Sequence, residues 1–352
     1  MNKIEQTVKK ITNIDVKLMD KAQERLDSLT KPQGSLGRLE EIARLIVGIS
    51  GKETPELKNK VIFTFASDHG VAAEGVSAYP AAVTAQMVYN FLRGGAGINV
   101  LAKHAGARVV VADLGVAEDL KISPGLVIKK IGYGTKNMAK GPAMTKEEAI
   151  KSICAGIEIF EDEFARGIDI IGTGEMGIAN TTAASAITAV FTQEKIEDIT
   201  GRGTGINDAG LKNKITILKE AIKINKPNPG DAIDVLAKVG GFEIGGLAGT
   251  ILAAASYKVP VVIDGFISGA AALIAYGIEP KVKDYMFAAH CSVEIGHKTI
   301  LKFLGLKPIL DLNLRLGEGT GAALGIGIAE ASIKILREMA TFKNAGVSER
   351  GK

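Results

Sequence analysis

The 352 residues contain no tryptophan and only two cysteines, Cys154 and Cys291. The two lie far apart and match no metal-ligand spacing, which argues against a cysteine-built metal site and fits a reducing compartment. The four histidines, His69, His104, His290 and His297, form no metal-ligand cluster by spacing either. Basic residues form no run, and the net charge of +4 is small for this length. Nucleic acid is therefore disfavoured as a partner, while a locally basic pocket for an anionic small molecule stays open. The opening Met1-Asn2-Lys3-Ile4-Glu5-Gln6 lacks the apolar core of a signal peptide. The most apolar region, 244–278, is interrupted by Lys258, Pro260 and Asp264, so no span reaches membrane length. The expectation is a cytoplasmic protein that inserts into no membrane.

Two catalytic signatures are also missing. Without a Gly-x-x-x-x-Gly-Lys-Ser/Thr loop a P-loop NTPase is disfavoured, and without Gly-x-Ser-x-Gly a hydrolase nucleophile elbow is unsupported. No nucleophile stands out, which leaves positioning plus one base as the economical mechanism.

What is present is glycine, 42 residues of it, clustered after apolar runs rather than spaced in a period. Collagen-like and low-complexity readings fail on that pattern. The runs themselves, such as Val61-Ile62-Phe63-Thr64-Phe65-Ala66, 108–114, 168–171, 259–264 and 283–289, are continuously apolar. Between them lie helical stretches, predicted over 36–49, 81–105, 146–166 and 240–256, with an amphipathic helix over 1–28 and a C-terminal one over 328–342. Ser35 is expected to cap the helix after it. Alternation of fully apolar strands with helices predicts an α/β fold, a mostly parallel sheet with helices on both faces. In such sheets ligands bind beyond the carboxyl ends of the strands, and polar residues collect there: Asp68, His69, Asp113, Glu175, Asp264, His290 and Ser292.

Gly172-Thr173-Gly174-Glu175-Met176-Gly177 fits the dinucleotide pattern Gly-x-Gly-x-x-Gly, but about 20 residues on the chain is polar and not a strand end. The stretch reads better as a mononucleotide phosphate loop at a helix N-terminus, against a ligand-free tight turn. Glu318 stands between Gly317 and Gly319, where the backbone can take positive φ. It is placed either as a general base or as a helix-starting charge, and these residues alone leave the two level.

Taken in order, several segments resemble one family along nearly the whole chain. They are Lys31-Pro32-Gln33-Gly34-Ser35-Leu36-Gly37-Arg38-Leu39-Glu40, Ser67-Asp68-His69-Gly70 through Tyr79-Pro80 and Thr84-Ala85-Gln86-Met87, and Gly174-Glu175-Met176-Gly177-Ile178-Ala179-Asn180-Thr181-Thr182. Gly203-Thr204-Gly205 with Lys214, Asp264-Gly265-Phe266-Ile267-Ser268, and Leu314-Arg315-Leu316-Gly317-Glu318-Gly319 complete the set. The family is nicotinate-nucleotide–dimethylbenzimidazole phosphoribosyltransferase, the CobT family of cobalamin nucleotide-loop assembly. The resemblance implies a Rossmann-like large domain over 30–292 and a small helical domain made of 1–29 with 293–352, which carries the catalytic loop. It also implies a homodimer, and no metal or other cofactor.

The implied reaction moves the phosphoribosyl group of nicotinate mononucleotide to 5,6-dimethylbenzimidazole with inversion at the anomeric carbon. By the same resemblance Glu318 is the general base, and Gly174, Glu175, Met176, Gly177, Lys214 and Ser292 hold the nucleotide and its phosphate. Ser77, Tyr79, Gln86 and Leu316 are implied for the benzimidazole. The chain departs from the family pattern at Val293 and Ile295, where Ala and Pro are more usual. Two competing functions are an NAD-dependent oxidoreductase on Gly172–Gly177 and a non-catalytic regulator in which Glu318 is dispensable.

Overall fold

A strand such as Lys60–Ser67, buried at all eight positions, can only sit inside a sheet covered on both faces. The computed structural model describes residues 2–348 and places seven strands side by side. In chain order, α1 (Lys3–Val8), α2 (Val16–Ser28) and α3 (Arg38–Ser50) precede β1 (Lys60–Ser67). Helices α4 (Val83–Leu92) and α5 (Gly97–Ala105) lead to β2 (Ala107–Gly115) and the short β3 (Leu126–Ile128). Next come α6 (Lys146–Phe164), β4 (Ile170–Met176), α7 (Asn180–Thr192), the single turn α8 (Ile196–Ile199), α9 (Asp208–Asn225), α10 (Ala232–Val239) and α11 (Phe242–Ser256). The chain closes with β5 (Val261–Ile263), α12 (Phe266–Ile278), β6 (Met286–His290), α13 (Ile295–Leu304), β7 (Pro308–Leu310), α14 (Thr320–Glu338) and α15 (Phe342–Ala345).

The strand order is β3-β2-β1-β4-β5-β6-β7, and every neighbouring pair is parallel. The chain winds outward from β1 to β3, returns to β4 beside β1, and winds outward the other way. The reversal between β1 and β4 opens a crevice beyond their carboxyl ends. Successive β1 side chains serve the two layers in turn. Phe65 meets Gly246 of α11, while the Thr64 hydroxyl reaches the backbone of Glu318 just before α14. The layer of α11 is completed by α6 and α12, and that of α14 by α3 and α5.

Some elements differ from expectation, each for a local reason. The N-terminal helix is two, because Asn2 and Asp15 each cap a separate start. The stretch 81–105 also breaks, since Asn99 takes the Ala96 N–H and donates to the Phe91 carbonyl. Ser35 caps nothing: α3 starts after Gly37 without a side-chain cap, and Glu40 instead takes the Leu36 N–H and the Lys31 ammonium, each at 2.9 Å. The last long helix begins at Thr320 and ends at Glu338. The chain after 292 supplies both a sheet edge, β7, and the helix α14 that packs on α2 and α3. Arg25 of α2 ties this group together by donating to the Leu336 carbonyl at 2.6 Å. Among the described residues no helix is long and apolar enough to cross a membrane.

Candidate active site

The strand β4 carries glycine at Gly172 and Gly174, inside the strand rather than in a turn after it. A Cβ on Gly172 would stand 2.9 Å from the Ala322 side chain, and one on Gly174 would stand 2.2 Å from the Glu318 carbonyl oxygen. These glycines let the start of α14 lie against the strand, a packing role. The expected phosphate turn over Gly174–Gly177 is therefore shorter: β4 runs to Met176, and only Gly177 onward turns into α7, through Ala179 at φ +74°.

Gly317, Glu318 and Gly319 follow one another at φ +84°, +63° and +96°. A glutamate in this region costs on the order of 1–3 kcal/mol and persists only where its surroundings hold it. Three groups do so. The Thr64 hydroxyl donates to the Glu318 carbonyl at 2.9 Å. Buried Asp264, at the end of β5, accepts from Gly319 N–H at 3.2 Å and Ala322 N–H at 3.0 Å. In that position it caps α14 from outside the helix. The third group is the N-terminus of α5, where Ile98 N–H donates to Glu318 Oε2 at 3.0 Å.

Beyond the carboxyl ends of β4, β5 and β6 lies a cavity of about 680 Å³. Glu175, Met176 and Gly177 come to it from β4, His290 and Ser292 from β6, and 313–318 from the last loop. Burial pushes Glu175 up to about 8, helped by the neighbouring Asp264 charge and opposed by the hydrogen bond from the Asn180 amide. Burial likewise pushes Asp264 up to about 7, against the N–H groups of Ala322, Gly319 and Gly321. Glu318 is raised by burial and pulled back by Ile98 N–H. Glu175 in the cavity and Asp264 behind it are thus poised to hold protons near neutral pH, and Glu318 is shifted in the same direction. His297 is held neutral, pushed down to about 3 by burial and by His290. Its Nδ1 accepts the Ser292 N–H at 3.0 Å.

At the other end of the cavity Thr181, Gly203 and Thr204 form the wall. Lys214 is wholly buried behind them and donates to Thr181 Oγ1 at 2.7 Å; burial pushes it down to about 8, with Glu294 opposing. Of the expected site residues, Glu318, Glu175, Met176, Gly177, Ser292, Tyr79 and Leu316 share this cavity. Gly174 lies under the Glu318 carbonyl, and Ser77 reaches the rim by pairing with the Thr204 hydroxyl at 3.1 Å. Gln86 is exposed and outside the lining, whereas Val83 and Met87 on the same helix face inward. Asn180, Thr181, Phe266 and Arg315 also line the cavity. Their signal lies within the family segments, as does that of Asp264, which the sequence also marks as a strand-end group. Among the described residues no group of three or more His, Cys, Asp or Glu side chains could hold a metal ion.

A family model described as phosphoribosyltransferase matches residues 11–347. A nicotinate-nucleotide–dimethylbenzimidazole phosphoribosyltransferase of Geobacter metallireducens is 59% identical over 352 residues, spanning 100% of this chain and 99% of its own. The like-named protein of Geotalea uraniireducens is 57% identical over 349 residues, 99% of each chain. The crystal structure of a protein of that name from Thermus thermophilus superposes with a TM-score of 0.91 at 44% identity, covering 96% of this chain and 100% of its own.

Proposed function

The chain belongs to the nicotinate-nucleotide–dimethylbenzimidazole phosphoribosyltransferase family, and from that premise we propose how its cavity carries out the transfer. The donor is nicotinate mononucleotide and the acceptor is 5,6-dimethylbenzimidazole, giving α-ribazole 5′-phosphate and nicotinate for cobalamin assembly. The donor's phosphate sits at the turn into α7, where free N–H groups and the helix dipole favour an anion, with Lys214 behind Thr181. The flat acceptor lies among Tyr79, Val83, Met87, Phe266 and Leu316, the apolar part of the lining.

Glu318 is the general base. With Oε2 held by Ile98 N–H, Oε1 takes the proton from one benzimidazole nitrogen as the other nitrogen attacks the anomeric carbon. The bond from that carbon to the pyridinium nitrogen breaks, and its electron pair returns to the ring, which leaves as neutral-ring nicotinate. Attack from the face opposite the leaving group turns the β-nucleotide into the α-product. Burial that raises the Glu318 carboxyl brings a base closer to neutral pH, where proton transfer is most effective. Glu175, raised further, keeps a proton at neutral pH and donates it in a hydrogen bond to the ribose.

The observation that carries this reading is a buried glutamate held at positive φ, with its carboxylate fixed on the cavity by a helix N-terminus. Incubation with both substrates, followed by chromatography, tests it. Nicotinate and α-ribazole phosphate are expected in equal amounts, with the α-configuration set by NMR of the product. A β-configured product would end the inversion step. No transfer, together with tight NAD binding and hydride chemistry, would end the whole reading.

A further inference from the structure

Directly after β1 come Asp68 and His69, two buried titratable groups that the transfer does not use. His69 Nε2 pairs with Glu243 Oε1 at 2.7 Å, and both side chains are shut off from solvent. Burial works against the imidazolium, but the charge and hydrogen bond of Glu243, with Asp68 nearby, outweigh it and raise His69. Glu243 Oε2 is buried without a hydrogen-bond partner among the described residues. A buried ion pair is commonly no more stabilising than an apolar pair of the same volume, and an unpaired buried oxygen adds to its cost. Features that cost stability in this way collect at functional sites.

The ring lies in a slot made by two glycines. A Cβ on Gly241, just before α11, would stand 2.4 Å from His69 Cε1, and one on Gly177 would stand 3.3 Å from Cδ2 and Nε2. His69 therefore bridges the first turn of α11, which carries Glu243, to the turn between β4 and α7. That turn is cavity wall, formed by Gly177 and Ile178 directly after Glu175 and Met176. The chain on either side of His69 is fixed. Asp68 accepts from Ala117 N–H at 2.8 Å, and Gly70 N–H donates to the Thr135 carbonyl at 3.1 Å. Glu175 is the next link, since it accepts from the Asn180 amide at the start of α7. Resting on the transfer reading above, we propose that the His69–Glu243 pair is a positioning device for the donor, propping the Gly177 turn against α11 and so fixing Glu175 beneath the ribose.

The test uses the full-length protein with His69→Leu and Glu243→Met together, and with Glu243→Gln alone. The double change replaces the pair by apolar groups, so the fold should hold, whereas the single one keeps the ring and its hydrogen bond. In the double variant the calorimetric Kd for nicotinate mononucleotide should rise about 10-fold. Its kcat should fall about 10- to 100-fold as the ribose is misplaced, while the KM for dimethylbenzimidazole stays as it is. Loss of folded protein cannot produce that pattern, because it lowers kcat without changing donor affinity. Glu243→Gln should recover most of the donor affinity. An unchanged donor Kd in the double variant would overturn the proposal, as would an equally large rise in Glu243→Gln. Should the double variant not fold, His69→Gln decides, since it keeps a donor for Glu243 but no ring against Gly177: the donor Kd rises, or the proposal falls. If the unaltered protein binds the mononucleotide without turnover, the transfer reading fails, while the comparison of Kd values still decides the role of the pair.

Discussion

The carbonyl oxygen of Glu318 and the α-carbon of Gly174 are packed so closely that a Cβ on the glycine would stand 2.2 Å from that oxygen. The contact joins the loop that holds Glu318 to the strand that carries Glu175. Strand and loop cannot separate without moving both carboxylates.

Gly174→Ala should displace the loop. Stability is expected to fall by about 1–3 kcal/mol, as for other overpacked sites, with kcat falling further than donor affinity. Gly141→Ala, at a glycine with nothing within 4 Å of its Cβ position, serves as the control and should leave both unchanged. Urea unfolding and turnover measure the two effects, and a Gly174→Ala enzyme with normal kcat would show that the contact does not position Glu318.

Glu318→Gln keeps the shape and can still accept Ile98 N–H, but it cannot take a proton. kcat should drop by roughly 10²–10⁴-fold with donor KM within a few-fold. In the unaltered enzyme, kcat should fall on the acid side at a pH above the ordinary glutamate range, because burial raises this carboxyl. A Glu318→Gln variant with near-normal kcat would remove it from the base role.

Folding stability should depend on pH through the same cluster. Glu175 is raised from 4.5 to about 8 and Asp264 from 3.8 to about 7. Each binds its proton more tightly in the folded chain than in the unfolded one. Their contribution is therefore fully present below pH about 4 and is lost as pH rises through about 7 and 8. Melting temperature, followed from about pH 5 to about pH 9, should decline, and Glu175→Gln should flatten that decline by an amount on the order of a few kcal/mol. Parallel curves for the two proteins would show that Glu175 is ionised in the fold.

Lys214→Met replaces a buried ammonium by a neutral chain of similar length. Removing the cost of burying that charge should keep stability within about 1 kcal/mol. KM for nicotinate mononucleotide should rise about 10- to 100-fold. An unchanged KM would place the phosphate elsewhere.

The sequence by itself determined the class of fold and the edge on which the site lies. Continuous apolar runs require a sheet covered on both faces, and polar residues at their ends, Glu175, Asp264 and His290, mark the carboxyl edge. It also marked Glu318, because a charged residue between two glycines is legible without any contact. Gly172 and Gly174 were legible as a pattern that fitted a phosphate turn or a ligand-free tight turn, whereas the structure uses them for close packing inside β4.

Tertiary structure alone decided what those residues touch. Ile98 N–H and the Thr64 hydroxyl, which fix Glu318, lie 220 and 254 positions away in the chain. Asp264 caps a helix it does not belong to, and Gln86 turns outward while Val83 and Met87 face the cavity. Periodicity records how one element is buried, whereas the aim of a carboxylate is set by elements from distant parts of the chain meeting in one place.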